Sequence, residues 1–211
     1  WEGIRLILNR MAEALEYFSP NPNEEMIFWT DKVVLACRDA LLLSIGIYNS
    51  SSRVRSEMFQ CFFNYFTIPH IFDLVKLSTE AVNRRLTAVK FPSNPIKYWF
   101  RVAMICDEVL RYIMHRGYSI EFNDYIDFTE KYLDNFKNYT TLPFNNPFLC
   151  NLLRYFKRLH TKGKLPYLKM LFKPLYYDHI VYSSIPLIYF GLSQNFRVNN
   201  KYLRECQRIF K

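Results

Sequence analysis

Glycine is scarce in this chain: five residues in 211, at positions 3, 46, 117, 163 and 191. That spacing excludes the phosphate-cradling Gly-x4-Gly-Lys-Ser/Thr loop and the dinucleotide loop Gly-x-Gly-x-x-Gly, whose glycines must cluster so that backbone N–H groups can approach phosphate. It excludes the Gly-x-Ser-x-Gly nucleophile turn as well, and it leaves few of the tight turns that β-sandwiches and barrels need. Neither Asp-x-Asp nor Gly-Ser occurs anywhere. A polymerase-type nucleotidyltransferase core, which holds two metal ions on such a carboxylate pair, is therefore absent from these residues.

Cysteines are few and scattered. Cys37, Cys61, Cys106, Cys150 and Cys206 are odd in number and far apart, which suits neither a disulfide framework nor a zinc site built on closely spaced ligands. Each falls in a stretch that reads as helical and apolar, so all five are expected as small core residues in a reducing, cytoplasmic compartment. The histidines, His70, His115, His160 and His179, are equally dispersed and read as surface or helix-end residues, His115 at the negative end of a helix. No metal and no cofactor is expected. The longest uncharged apolar run, Ile180 to Leu192, is interrupted by Pro186 and falls short of the roughly 20 residues a membrane span requires. The N-terminus, Trp-Glu-Gly-Ile-Arg, has no basic-then-apolar leader and reads as part of a longer chain.

What the sequence does contain is apolar and aromatic. Half of it is hydrophobic and 18% is Phe, Tyr or Trp, enough to bury a sizeable core. The apolar positions recur at helical spacing, which predicts an all-α, multi-helix bundle of about eight to ten helices in a single domain, with a possible subdivision near 140–147. The first helix runs from Glu2 to Phe18 and breaks at Ser19-Pro20-Asn21-Pro22. Asn23 to Tyr48 is apolar on nearly every face and is expected as the central helix. The Asn49-Ser-Ser-Ser52 turn caps a helix over Arg53–Phe66, and another covers Ile71–Val89. Asn94-Pro95 and Asn146-Pro147 each supply a cap followed by a proline at the first helical position. They open helices running to about His115, with a stop at Gly117, and over Phe148–Lys162, with a stop at Gly163. A further helix is expected over Phe122–Tyr139, and shorter ones over Tyr167–Phe172, Asp178–Tyr189 and Val198–Phe210.

Charge is uneven. Of the 28 Lys and Arg residues eight fall between Asp134 and Asp178, an interval with no acid, so nearly the whole net charge of +9 is local. Arg154, Lys157, Arg158 and Lys162 share one helical face, opposite Leu149, Leu152, Leu153 and Phe156. Interleaved with tyrosines, that face suits contact with nucleic-acid phosphates and bases; an ordinary solvated helix face has the same pattern. Arg154 and His160 also fit the loose Arg-x4-6-His spacing and resemble, at those two positions, the HEPN nucleases, helical dimers that cleave RNA. This gives an alternative reading as a nucleic-acid-binding or HEPN-like protein.

A second resemblance lies in the first 60 residues. Glu2-Gly-Ile-Arg-Leu-Ile-Leu-Asn9-Arg10-Met11, then Asp39-Ala-Leu-Leu-Leu-Ser-Ile-Gly46-Ile-Tyr48, then Arg53-Val-Arg55 resembles the helical region that follows the catalytic core in some bacterial and archaeal nucleotidyltransferase-like proteins. The resemblance implies a helical accessory domain that closes one side of a substrate cleft, binding nucleotide or acceptor while a preceding domain or partner supplies the catalytic acids. Its candidate substrate-binding residues are Asn9, Arg10, Asp39, Tyr48, Arg53 and Arg55. From the residues themselves, Asp39 in an apolar helix requires a cationic partner, with Arg38, Arg10, Arg53 and Arg55 available. Arg53 and Arg55, just after a serine turn, stand where guanidinium forks and helix N–H groups can share a phosphate, although both equally suit a solvent-facing position. A helical interaction scaffold with no small-molecule site is the third reading.

Overall fold

A computed structural model describes residues 1–19, 21–86, 91–136, 152 and 177–192. Among them the fold is all-α, with seven α-helices and one short 3-10 turn: α1 (Glu2–Glu16), α2 (Glu24–Ser44), α3 (Ser52–Phe62), the 3-10 turn (Phe63–Tyr65), α4 (Ile71–Leu86), α5 (Pro95–Tyr118), α6 (Tyr125–Phe136) and α7 (Tyr177–Tyr189). Of the remaining expected helices, 167–172 and 198–210 lie outside the described residues, as does 148–162 apart from the helical Leu152. The chain forms two compact units, Trp1–Glu121 and Phe122–Lys211; the subdivision anticipated near 140–147 falls outside the described residues. No described helix is long and apolar enough to cross a membrane.

In the first unit α2 is the central helix, packed by α1, α4, α5 and, less extensively, α3. Fourteen of its residues are buried, polar Thr30, Asp31, Arg38 and Asp39 among them. Its start agrees with the expected bound at Asn23, whose side chain accepts the Met26 N–H at 3.0 Å and caps the helix. Its end does not: the helix stops at Ser44 rather than Tyr48, because Gly46 turns left-handed at φ 75° and the Gly46 and Ile47 N–H groups fold back onto the Leu43 and Leu42 carbonyls. This releases Tyr48 into the loop before α3. Along α1 the apolar stripe Ile4, Ile7, Leu8, Met11 faces α2, and a Cβ on Gly3 would come within 3.2 Å of the Ala40 Cβ, so the glycine permits close helix contact. Leu35 meets Ala81 and Val82 between α2 and α4.

Other boundaries shift for local reasons. The helix expected to reach Phe66 ends at Phe62 and tightens into the 3-10 turn. The expected stop at Gly117 is wrong: that glycine stays helical, and Ser119, left-handed at φ 56°, closes α5 instead through Ser119 N–H to His115 O (2.8 Å) and Ile120 N–H to Met114 O (3.1 Å). Asn94 caps α5 as expected, its side chain accepting the Lys97 N–H at 2.9 Å. In the second unit α6 begins at Tyr125, not Phe122, because Asp124 receives the Ile126 and Asp127 N–H groups. It packs on α7 through Thr129, whose hydroxyl donates to the Ser183 carbonyl at 2.8 Å.

Candidate functional site

Three of the candidate residues, Asp39, Tyr48 and Arg55, come together with Arg38, the neighbour of Asp39. Asp39, on the buried side of α2, receives the Arg38 Nε–H at 2.8 Å and the Arg55 Nε–H at 2.9 Å on one carboxylate oxygen, Oδ1. Arg38 is 0% exposed. Its Nη1 donates to Ser56 Oγ at 2.7 Å, while its Nη2 lies 2.7 Å from the same Oδ1 out of hydrogen-bonding alignment and makes no hydrogen bond. Burial lowers the Arg38 pKa, Asp39 works against that, and Arg55 adds to it as a like charge. Arg55 Nη1 donates to the carbonyls of Asn49 and Ser50 at 2.6 and 2.8 Å, which pins the loop that carries Tyr48. The Arg55 guanidinium then lies 4.9 Å from the centre of the Tyr48 ring, and that ring is 49% exposed.

Two guanidiniums on one carboxylate leave an excess positive charge, part of it at a group fully removed from water. The Arg55 Nη2 and Arg38 Nη2 donors are not used by any described residue. The partner anticipated for Asp39 is thus found in Arg38 and Arg55. Arg10 instead pairs with Glu13 at 2.5 Å, and Arg53, 83% exposed at its side chain, pairs with Glu57 at 3.2 Å. Asn9 is exposed on α1. Neither Arg10 nor Arg53 joins the Asp39 cluster.

A second buried network was not anticipated. Asp31, 3% exposed on α2, takes a two-pronged contact from Arg84 of α4 (Nε to Oδ2 2.9 Å, Nη2 to Oδ1 2.7 Å) and the Tyr98 hydroxyl of α5 at 2.5 Å. Here no positive charge is left over, because Arg84 meets Asp31 and, at 3.7 Å, the more exposed Glu80, and the arrangement ties three helices. Hydrogen bonding to Asp31 pushes the Arg84 pKa up, and burial followed by the Asp31 charge pushes the Tyr98 hydroxyl well up. The argument that flagged Asp39, a carboxylate in an apolar helix, applies equally to Asp31 eight residues earlier. Its partner, 53 residues away, carries no local signal.

The histidines and cysteines divide. His115 sits in the last turn of α5, as expected, 3.2 Å from Glu121. His70 bonds Glu108 through Nδ1 at 2.5 Å. His179 stands in the first turn of α7, a helix end as expected, and is buried there, 1% exposed and 3.2 Å from the Tyr132 hydroxyl. Cys37 and Cys106 are buried, burial raising the Cys106 pKa, whereas Cys61 is exposed and not a core residue. Among the described residues no group of three His, Cys, Asp or Glu is placed to hold a metal ion. Arg154, Lys157, Arg158, His160 and Lys162, the residues of the nucleic-acid reading, lie outside the described residues.

Comparison of the chain with protein-family models, curated proteins and solved structures gives no match. The geometry of the site is therefore what bears on function.

Proposed function

We propose that this chain is a non-catalytic, substrate-binding helical domain, the companion of a nucleotidyltransferase-like catalytic domain, and that it takes the phosphates of a nucleotide or acceptor at Arg55. The observation that carries this reading is the unbalanced cluster of Arg38 and Arg55 on Asp39. An incoming phosphate meets a positive excess and the unspent Arg55 Nη2, while the exposed Tyr48 ring beside it offers a stacking face. The resemblance of the first 60 residues to the helical region of nucleotidyltransferase-like proteins points the same way. Asp39 in this reading positions the guanidiniums and does not touch substrate.

The test is titration with uridine triphosphate, a ligand that reads phosphate and ring stacking. Arg55→Gln is expected to weaken binding about 10- to 100-fold, the worth of a hydrogen bond to a charged group, and Tyr48→Ala about 5- to 10-fold. Arg53→Ala, a solvent-facing control, leaves affinity unchanged. Equal affinity in all four proteins contradicts the proposal.

A further inference from the structure

A separate groove of about 730 Å³ opens on the first unit beside α2 and α4, its aromatic and cationic lining formed by Tyr17, Phe28, Trp29, Lys32, Arg85 and Phe91. Phe28 and Phe91 are 43% and 44% exposed. Trp29 is held flat against Tyr17, ring centres 4.8 Å apart, so its orientation is fixed. Lys32 Nζ stands 3.6 Å from the Trp29 ring centre and 4.7 Å from that of Phe28, and the Arg85 guanidinium is 5.5 Å from Phe28. Neither cation has a hydrogen bond or ion pair with a described residue. The acids whose charge reaches Lys32 and Arg85 are committed elsewhere: Glu13 to Arg10, Asp31 to Arg84, and Asp39 to Arg38 and Arg55. Burial lowers the Lys32 pKa, Glu13 opposes, and Arg10 and Arg85 lower it further, which places three like charges within reach of one another. An anion bound among them relieves that repulsion.

The other end of the groove has the opposite sign. Glu24 and Glu25, in the first turn of α2, also line it. Glu24, Phe28 and Lys32 follow at intervals of four along one helix face, so carboxylate and ammonium are separated by about 12 Å of helix with an aromatic ring between. Cations, a flat apolar surface and carboxylate acceptors in that order match the phosphate, the base and the exocyclic amine of a nucleotide.

We propose that this groove is a second binding site, for a nucleotide unit whose base carries an exocyclic amine: phosphate at Lys32 and Arg85, base on Phe28, amine towards Glu24 and Glu25. The unit is either a free nucleotide or part of a single strand. The site is independent of the Arg55 site and stands or falls without it.

Affinities of cytidine monophosphate, uridine monophosphate and oligocytidylate, measured by titration of the whole chain at low salt, test it. Cytidine monophosphate is expected to bind at least tenfold more tightly than uridine monophosphate. Lys32→Gln/Arg85→Gln lowers cytidine monophosphate affinity at least tenfold, and Phe28→Ala lowers it to a similar extent. Glu24→Gln/Glu25→Gln removes the preference for cytidine while retaining phosphate binding, a change that loss of folding does not mimic. Each comparison is repeated in an Arg55→Gln background, which removes nucleotide taken at the Arg55 site, so that the values assigned to the groove come from the groove alone. Oligocytidylate binding more than tenfold above the mononucleotide, with a salt dependence that falls in the Lys32/Arg85 variant, identifies a strand as the ligand; equal affinities identify the free nucleotide. Equal binding of cytidine and uridine monophosphates, no binding of either, or a Lys32/Arg85 variant indistinguishable from wild type overturns the proposal.

Discussion

Replacing Asp39 with alanine is expected to destabilise the first unit by about 3–5 kcal/mol, because it leaves Arg38 charged, fully buried and without a counter-ion. The size of the effect comes from the group left behind more than from the bond removed. A guanidinium at 0% exposure cannot recover its hydration without opening α2 from α3, and the Ser56 hydroxyl alone does not neutralise it. Arg53→Ala, by contrast, breaks an ion pair whose side chains are 83% and 63% exposed, and is expected to shift stability by no more than about 0.5 kcal/mol. Urea unfolding followed by tryptophan fluorescence separates the two. All three tryptophans, Trp1, Trp29 and Trp99, belong to the unit Trp1–Glu121, so the signal reports that unit even where the whole chain does not unfold in one step. A loss below about 1 kcal/mol for Asp39→Ala would mean that Arg38 is hydrated or paired in another way.

Arg84→Met is expected to cost a comparable amount, about 3–5 kcal/mol, by stranding the Asp31 carboxylate at 3% exposure with the Tyr98 hydroxyl as its remaining hydrogen-bond donor. The same network makes stability depend on alkaline pH. The Tyr98 hydroxyl loses its proton less readily in the folded chain than its ordinary value of 10.0. A raised folded pKa means that the contribution is complete below about pH 10 and is lost as the pH climbs beyond it. Tyr98→Phe is therefore expected to be less stable than wild type near neutrality, through the lost bond to Asp31, yet to show a smaller further decline between pH 9 and 11. Parallel declines in the two proteins would show that Tyr98 does not govern alkaline stability.

The features legible in the sequence were those fixed by neighbours along the chain. Asn94 caps the helix it announces, since a cap needs a side chain and an N–H three residues on. The apolar surroundings of Asp39 demanded a cation, and Arg38 and Arg55 supply it. Where the local code is degenerate the reading failed. Gly117 has the residue type of a stop but sits in an ordinary helical turn, while Ser119, with nothing to mark it, takes the left-handed position. Cys61 shares the apolar neighbourhood of Cys37 yet faces outward, because at the end of α3 the buried position belongs to Phe59. Contacts across long stretches of sequence were invisible for another reason. Asp31 meets Arg84, and Lys32 stands over the same Phe28 ring as Arg85, only because α2 and α4 pack through Leu35, Ala81 and Val82. No residue pattern specifies that pairing before the helices are docked.

The central claim, that Arg55 and Tyr48 form a phosphate-and-ring site, is tested most directly by photo-crosslinking with azido-uridine triphosphate, whose base lacks the amine that the α2–α4 groove is proposed to read. After proteolysis, label on the segment 46–53 carrying Tyr48, diminished by unlabelled uridine triphosphate and lost in Arg55→Gln, is the result expected here. Label that spares this segment, or that persists undiminished in Arg55→Gln, would contradict the account.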